Sequence, residues 1–548
     1  MTLSVPGRVS RMQIAGMASN RGRNLLYVAE TAPGGAELSV VLTNDADAPV
    51  LDAAAEHGVP TEAVERERGE SRPDHERRVL DALAEYEFDL VCLDGYMRVL
   101  SDTFLDAAPT TLNVHPSLLP AFPGTDAHEQ VLDAGVRQTG CTVHVVTDAT
   151  DEDGEPVLDA VDAGPIVTQE PVPVYEDDDV DALKRRVLYE AEFRAYPRAI
   201  RWVAADRVTV DREAGGVTVA GDDAEALPVR RVTGEDRARE LRYGENPHQE
   251  AALYEDLAGE GASVVGAPQV NESAKGMSYN NYNDADAALG LVREFDRPAA
   301  AVIKHTNPAG CAVADDLVTA YRDALATDPK SAFGGVVALN RACDAATATE
   351  VVDSFKEVVV APAFTDDALA TLSAKDDLRV LPVGDLGAER DPLTEKDLAG
   401  GRLVQERDDQ RVAPADLEVV TEREPTDAQL ATMCFAWQVV KHAKSNAIVF
   451  AEGTETVGVG AGQVSRVDAV ELAAKKAARD AEGKDADGAV MASDAFFPFP
   501  DGVEAAAEAG VEAVVQPGGS VNDDGVIAAC DDLGLAMAFT GQRAFRHD

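Results

Sequence analysis

The sequence predicts an α/β protein with more than one domain, and three observations carry that reading. The opening third alternates short apolar stretches ("RMQIAG", "LSVVLTN", "FDLVCLDGY") with helical ones, the rhythm of βαβ units on a parallel sheet. From about 204 to 235 the chain turns polar and glycine-rich without a long periodic segment, which marks a boundary. The remainder mixes alanine-rich helices such as "AVELAAKKAARDAEG" with buried strands such as "GVVALN" and "EVVVAP". A chain of 548 residues exceeds what one core accommodates. The expected division is 1–228 and 229–548, the second part splitting again near 400–425.

Charge narrows the function. Asp and Glu number 99 against 49 Lys and Arg, a formal charge of -50. Phosphate-backbone binding needs cations, so nucleic acid is a poor partner. Acid spread through the whole chain, with 45% hydrophobic residues, reads as a halophilic surface rather than an acidic tail. Six cysteines lie far apart with no C-x-x-C pair, so neither a metal ribbon nor a disulfide framework is expected and no metal is assigned. No signal-peptide pattern opens the chain and no run of about 18 apolar residues occurs, so no membrane partner and a cytoplasmic location are expected.

In the first part, "IAGMASNRGRNLLYVAE" reads as a strand, a small-residue loop and a helix beginning near Asn24, which aims free amides at an anion. It lacks the G-x-G-x-x-G and Walker patterns. "LDGYMRVL" puts Arg98 and the backbone of Val99 and Leu100 at the carboxyl edge, where open α/β sheets bind ligands. In "LNVHPSLLPAFPG", strand alternation sends Asn113 and His115 to one face and Leu112 and Val114 to the other, so the polar pair can grip one small group. "GCTVHVVTD" carries His144 and ends at Asp148, and an acidic insert with Asp153 precedes "VDAGPI" with Asp162. Singly, each has an ordinary explanation: a strand-to-helix turn, a solvated arginine, a satisfied strand histidine.

Together with "VDAGPIVTQEPVPV" and "EFRAYP", these segments occur in the order and spacing of glycinamide ribonucleotide formyltransferase, which residues 9 to about 228 resemble. The resemblance implies a Rossmann-like parallel-sheet domain with Asn113, His115 and Asp162 catalytic. It implies phosphate contacts from Gly22, Arg23 and Asn24, folate contacts from Arg98, Val99, Leu100 and Asp148, and a substrate-amine contact from Glu192. Arg23 stands where that family usually has serine, and the longer span after Asp148 makes Asp153 a rival to Asp162. The text after Asp162 continues the family pattern, which favours Asp162.

In the second part, "PAAAVIKHTNPAGCAVA" runs an apolar strand into Lys304 and His305. Neighbours on a strand point opposite ways, so both reach one ligand only if the backbone turns there, as Asn307-Pro308 favours. Burial beside a cationic neighbour is expected to lower the lysine's proton affinity. "LRYGENPHQ", "SYNNYNDADAAL", "TDPKSAFGGVVALN", "KSNAIVFA", "GAGQVSRV", "SDAFFPFPDG", "QPGGSVNDD" and "RAFRH" make residues 236 to 548 very similar to aminoimidazole carboxamide ribonucleotide formyltransferase. That resemblance implies a pair of cytidine-deaminase-like α/β subdomains without zinc and a homodimer. It implies catalysis by Lys304 and His305 assisted by Asn446, nucleotide contacts from Arg242, Tyr243, Asn281, Gly334, Arg543 and Phe545, and folate contacts from Glu357, Pro498 and Asp501. Pro500 replaces an arginine common in that family. The inosinate cyclohydrolase sequence that often precedes this domain is not found.

The implied donor is 10-formyltetrahydrofolate, and the implied partners are small nucleotides and folate. Formyl transfer to an amine passes through a tetrahedral carbon bearing an oxyanion, which an amide such as Asn113 can stabilise by about 2.7–4 kcal/mol. His115 can stabilise the same oxygen or relay a proton, and Asp162 would raise its proton affinity. Methionyl-tRNA formyltransferases share N-x-H-P-S-L-L-P but need a basic RNA surface. Formyltetrahydrofolate hydrolases carry a doubled histidine where this chain has His115-Pro116. A first part that binds without catalysing is the remaining alternative, supported by Arg23 and the acidic insert.

Overall fold

The structure is a computed structural model and describes residues 11–151, 157, 160–211, 216–220, 227–231, 234–256, 261–388 and 390–547. It forms two compact units, one ending at Arg231 and the next starting at position 232. Each is described separately.

The first unit contains β1 (Gln13–Met17), α1 (Arg23–Thr31), β2 (Glu37–Thr43), α2 (Val50–Glu56), β3 (Thr61–Ala63), α3 (Arg72–Leu83) and β4 (Leu90–Leu93). These are followed by α4 (Asp102–Leu105), β5 (Thr111–His115), α5 (Ala127–Ala134), β6 (Gln138–Val145), β7 (Ile166–Pro173), α6 (Val180–Arg186), α7 (Phe193–Ala204) and a hairpin of β8 (Val208–Asp211) with β9 (Gly216–Val219). The sheet order is β3-β2-β1-β4-β5-β6-β7. It is parallel through β5, but β6 runs antiparallel to both β5 and β7. The expected parallel α/β sheet is thus present in β1 to β5, and β6 and β7 add an antiparallel edge to it, β7 following β6 without a crossover helix. Successive residues feed opposite cores, Ile14 one and Ala15 the other, so helices cover both faces.

The second unit begins with a hairpin of β10 (Glu235–Leu241) and β11 (Ala251–Asp256). Then come α8 (Tyr279–Val292), β12 (Ala299–Lys304), β13 (Asn307–Val313), α9 (Leu317–Thr327), β14 (Val336–Leu339), α10 (Ala345–Val352), β15 (Val358–Ala361), α11 (Asp366–Ser373) and β16 (Arg379–Pro382). A hairpin of β17 (Leu393–Leu398) and β18 (Gly401–Glu406) and the short β19 (Glu418–Val419) lead into a second set: α12 (Asp427–Val440), β20 (Ile448–Glu452), β21 (Glu455–Gly460), α13 (Arg466–Arg479), β22 (Val490–Ser493), α14 (Asp501–Glu508), β23 (Ala513–Gln516), α15 (Asp523–Leu533) and β24 (Ala536–Phe539).

The two sets repeat one another at an offset of about 150 residues. In each, a helix with a capping box (Ser278 with Asn281, Thr426 with Gln429) leads into an antiparallel hairpin, and parallel strands follow. Both sets join in one eleven-stranded sheet, β16-β15-β14-β12-β13-β21-β20-β22-β23-β24-β19, through the pair Ala312 and Glu455. One face carries a core shared by α8 and α12, whereas the other carries a separate core for each set. Glu294 after α8 binds Lys441 at 3.0 Å and His442 at 2.9 Å after α12, an ionic brace across the repeat.

Candidate active sites

In the first unit the expected alternation holds at β5: Leu112 and Val114 enter the core while Asn113 and His115 share the other face. Antiparallel pairing sets Asn113 opposite His144 of β6, and Asn113 Nδ2 lies 3.1 Å from His144 Nε2. His144 Nδ1 lies 3.1 Å from the Val145 carbonyl, and the tautomer that carries its proton on Nδ1 donates there and accepts from Asn113. This leaves Asn113 one N–H for a ligand.

Asp162 sits in the turn before β7 with φ 61, a left-handed conformation that aspartate tolerates. Its carboxylate meets His115 Nδ1 at 3.1 Å, accepts the Gly124 N–H at 3.0 Å and faces His144 Nε2 at 3.6 Å. Burial pushes the carboxyl up, but His115 and the Gly124 N–H outweigh it and hold the group below the usual range. His115 Nε2 lies 2.9 Å from the Phe122 carbonyl. With an acceptor at each ring nitrogen, only the imidazolium satisfies both. Burial opposes that charge, yet Asp162 and the Phe122 carbonyl prevail and raise the histidine above its ordinary value. Asp153 lies outside the described residues.

Gly22 caps α1 with φ 54, and a Cβ there would meet Val50 Cγ2 at 2.4 Å, so the turn requires glycine. The amides that follow are not all free. Asp94, just past β4, accepts the Asn24 N–H at 2.8 Å and Asn24 Nδ2 at 3.1 Å. Asn24 Nδ2 also donates to Glu192 Oε2 at 2.6 Å. Glu192 ends a π-helical turn, Val187–Glu192, between α6 and α7, a distortion often found at functional positions. Burial and then the Asp94 charge push the Glu192 carboxyl up to about 7, while Asn24 pulls against them. Arg23 reaches Tyr189 Oη instead of an open anion seat.

Arg98, Val99 and Leu100 form a loop at the carboxyl edge, the Leu100 side chain buried. Arg72 of α3 donates to the Val99 carbonyl at 2.5 Å, and Glu76 accepts the Ser101 N–H at 2.9 Å and hydroxyl at 2.5 Å. Asp148 is turned onto Thr150, accepting its N–H at 2.9 Å and hydroxyl at 2.7 Å.

In the second unit the required backbone turn exists, two residues earlier than expected. His305 and Thr306 have φ 53 and 61 and form the two-residue turn of the β12–β13 hairpin, while Asn307 and Pro308 already belong to β13. Asp284 of α8 holds the turn by accepting the Thr306 N–H at 2.7 Å and the His305 N–H at 3.4 Å. A β-branched threonine at positive φ is strained, as functional sites often are. The burial expected of Lys304 is not found: it is half-exposed, and Nζ donates to the Gly334 carbonyl at 2.8 Å. Gly334 has φ 67, and a Cβ there would meet Lys304 Nζ at 3.3 Å, so glycine admits the lysine.

Asn281, expected on the nucleotide side, donates to Glu357, expected on the folate side, at 2.7 Å. The hairpin is tied to the Asn446 loop by Lys444 N–H to Asn307 Oδ1 at 2.8 Å. Asn446 Nδ2 spends both hydrogens on the carbonyls of Gln463 (3.1 Å) and Val464 (3.0 Å), and Oδ1 accepts from Arg466 at 2.7 Å. Its side chain can therefore accept one more bond but donate none. Arg466 is itself buried on Asp494 at 2.5 Å. Ser445 N–H and Oγ pair with the Arg546 backbone at 2.8 and 3.0 Å, which brings the Arg543–Phe545 segment to the same loop. Arg543 stacks over Phe545 at 4.5 Å and lines a polar cleft of about 330 Å³ with Lys441 and Gln542. Arg242 lies over Tyr243 at 5.0 Å, and Asn280 of α8 binds the nearby Glu245 carbonyl at 3.2 Å. Pro498 and Asp501 stand apart: the Pro498 carbonyl accepts from Asn522 at 3.2 Å, and Asp501 takes the Gly502 N–H at 2.8 Å.

The sequence reading did not assign His144, Asp94, Asp284 or Arg466. His144 was visible as the only ring in "GCTVHVVTD", and Asp94 as a carboxylate directly after an apolar strand, but neither partner was. Among the described residues no cluster of three or more His, Cys, Asp or Glu side chains is arranged to hold a metal.

Two family models match different parts of the chain. Residues 12–200 match the family model described as formyl transferase, and residues 205–476 match the AICARFT/IMPCHase bienzyme family. The class these matches point to is formyltransferase-like. More particularly, the first part is similar to formyl transferase and the second to the AICARFT/IMPCHase bienzyme family, each match covering less than half of the chain. The curated bifunctional purine biosynthesis protein PurH of Jannaschia sp. (strain CCS1) is 52% identical over 339 residues, covering 60% of this chain and 63% of that protein. The chain thus spans less than two thirds of that relative's length. Among solved structures, glycinamide ribonucleotide transformylase 1 of Symbiobacterium toebii is 38% identical, covering 38% of this chain and 94% of that one (TM-score 0.34). Phosphoribosylglycinamide formyltransferase of Anaplasma phagocytophilum is 34% identical, covering 39% and 96% (TM-score 0.34).

Proposed function

We propose that the chain is a bifunctional enzyme of purine synthesis that moves the formyl group of 10-formyltetrahydrofolate to two acceptors: the amine of glycinamide ribonucleotide in the first unit and the 5-amino group of aminoimidazole carboxamide ribonucleotide in the second. The observation that carries the first activity is the His115 imidazolium held between Asp162 and the Phe122 carbonyl, beside an Asn113 amide with one free N–H. The amine nitrogen attacks the formyl carbon. The carbonyl oxygen becomes an oxyanion and takes the Asn113 N–H and the His115 Nε2–H, the latter exchanged from Phe122. The nitrogen–carbon bond to the folate then breaks as that nitrogen gains a proton, and the amine loses one. Arg98, Val99, Leu100 and Asp148 take the folate, and Gly22, Arg23 and Asn24 the nucleotide.

In the second unit the acceptor amine is conjugated to a carboxamide-bearing ring and is a weak nucleophile, so it needs close alignment with an acid–base couple. Lys304 and His305 supply the couple on a strained turn, and Asn446, which can only accept, aligns the amine N–H. Ring closure to inosinate is not part of the proposal, because residues 12–200, preceding the bienzyme match, match formyl transferase instead. The exposed Phe333, Phe355, Val464, Phe499 and Val521 support a homodimer, and the repeated helix–hairpin–strand sets support a pair of similar α/β subdomains, which we take as cytidine-deaminase-like. The acid excess supports a halophilic setting. Among the described residues no helix is long and apolar enough to cross a membrane.

The second reading, a first unit that binds without catalysing, is favoured by Asp94, whose carboxylate occupies the Asn24 N–H expected to meet a phosphate. Incubating the full chain in concentrated salt with glycinamide ribonucleotide and 10-formyltetrahydrofolate separates the two. Formylated product supports catalysis, and binding without product supports the module.

A further inference from the structure

The first unit holds two carboxylates, Asp94 and Glu192, on one amide. Asn24 Nδ2 bridges them at 3.1 and 2.6 Å, which fixes its orientation and turns Asn24 Oδ1 away. That oxygen is buried and has no hydrogen-bond partner among the described residues. An orphaned buried acceptor is costly, and this one belongs to the amide whose nitrogen already meets two carboxylates. The cations nearest them have other hydrogen-bond partners, Arg23 on Tyr189 and His115 on Asp162 and Phe122, so these acceptor groups suit a donor-rich, positively charged ligand. A primary ammonium, with three N–H donors, has that chemistry.

We propose that Asp94 is a positioning residue for the substrate amine. By gripping α1 through Asn24 it sets the Asn24 amide on Glu192, and its charge beside Glu192 makes Glu192 the group that takes the proton from the incoming ammonium. The step balances: R–NH₃⁺ and the Glu192 carboxylate become R–NH₂ and the Glu192 carboxylic acid. The neutral amine then has the lone pair that attacks the formyl carbon. This inference rests on the formyl-transfer reading of the first unit but assigns a residue that reading leaves out.

The surroundings are consistent with that role. Glu192 faces Asp94 at the end of β4, Asn24 on α1, His115 on β5 and Cys141 on β6. Asp94 faces Arg23 and the Asn24 and Leu25 amides on α1, Cys92 on β4 and Tyr196 on α7. Burial raises the Asp94 carboxyl and Asn24 opposes it. The Glu192 value of about 7 lets it accept a proton and give it up again near neutrality.

The test compares the pH dependence of kcat/KM for glycinamide ribonucleotide in the full chain and in its Asp94→Asn and Asp94→Ala variants. A base titrating near 7 makes the rate at pH 8 roughly tenfold that at pH 6. Removing the Asp94 charge should shift the acid limb down by at least one unit and cut that ratio to below about threefold. A uniform loss of rate with the limb unmoved would reduce Asp94 to a structural brace and overturn the inference. Glu192→Gln gives a check that does not depend on Asp94 variants folding: it should abolish the limb, and a limb persisting there also overturns the inference. If the unmodified chain makes no product, the formyl-transfer reading falls, and the affinity for glycinamide ribonucleotide alone decides this one. Binding weaker at pH 6 than at pH 8 in the unmodified chain but not in the Asp94 variants supports it. Equal pH dependence, or no binding, sinks it.

Discussion

Replacing Asp162 by asparagine probes the linkage that holds the first site. The carboxylate bonds His115 Nδ1 at 3.1 Å and the Gly124 N–H at 3.0 Å. An asparagine has one acceptor oxygen, so it keeps one of these bonds and turns an NH₂ group toward the other donor. The bond to a charged partner is worth about 1.5–3 kcal/mol, and the first unit should lose about that much stability near neutral pH. His115 then loses its main charge partner while the burial that opposes its charge remains. The imidazolium should give way to the neutral ring at lower pH than in the unmodified chain; the neutral ring cannot donate from both nitrogens, and kcat/KM for glycinamide ribonucleotide should fall about 10²–10⁴-fold. The sign of the pH effect follows from both partners. Stability from the raised His115 is fully present below its unfolded value and fades as pH rises through the folded one. Stability from the depressed Asp162 is present above its unfolded value and fades as pH falls through the folded one. The alkaline limb of the rate profile should therefore move to lower pH in Asp162→Asn. A variant that keeps its rate within threefold at pH 7.5, with the limb in place, would refute the reasoning.

Other expectations follow from the same geometry. Asn113→Ala should lower kcat for glycinamide ribonucleotide about 10²–10³-fold while thermal stability changes little, as steady-state kinetics and melting will show. Gly334→Ala should weaken formylation of aminoimidazole carboxamide ribonucleotide, because the added methyl crowds Lys304 Nζ and the backbone has positive φ; unchanged kinetics would contradict the proposed placement of Lys304. Glu294→Gln leaves Lys441 buried without its carboxylate and should destabilise the second unit by roughly 3–5 kcal/mol in denaturant titrations near neutral pH. All six cysteines are buried with thiols raised by burial, Cys92 to about 12 and Cys434 to about 11, so folded protein should resist thiol reagents until denatured.

Much of the first unit was readable because its signals are local. Strand alternation alone sets Asn113 and His115 on one face, and the strand-then-loop text places Gly22, Arg98 and Asp162 in turns at the edge of a sheet. What was not readable depended on pairing between distant strands. That β6 runs antiparallel, and so brings His144 opposite Asn113, follows from register rather than composition. Asp94 and Glu192 are 98 positions apart and meet only because β4 and the π turn both end at Asn24. In the second unit the Lys304–His305 turn was anticipated, but Asn307-Pro308 misplaced it by two residues, because Asp284 on α8 supplies the force that bends the chain. The internal repeat left no trace in the text, since helices and strands recur with their spacing and caps while residue identities do not.

The central claim is that one chain carries two independent formyl-transfer sites. The most direct measurement supplies full-length protein in concentrated salt with 10-formyltetrahydrofolate and either ribonucleotide, and follows release of tetrahydrofolate in the unmodified chain and in His115→Ala and Lys304→Ala. The account predicts that His115→Ala abolishes turnover of glycinamide ribonucleotide alone and Lys304→Ala that of aminoimidazole carboxamide ribonucleotide alone. Turnover of neither substrate by the unmodified chain, or loss of both from either substitution, would contradict it.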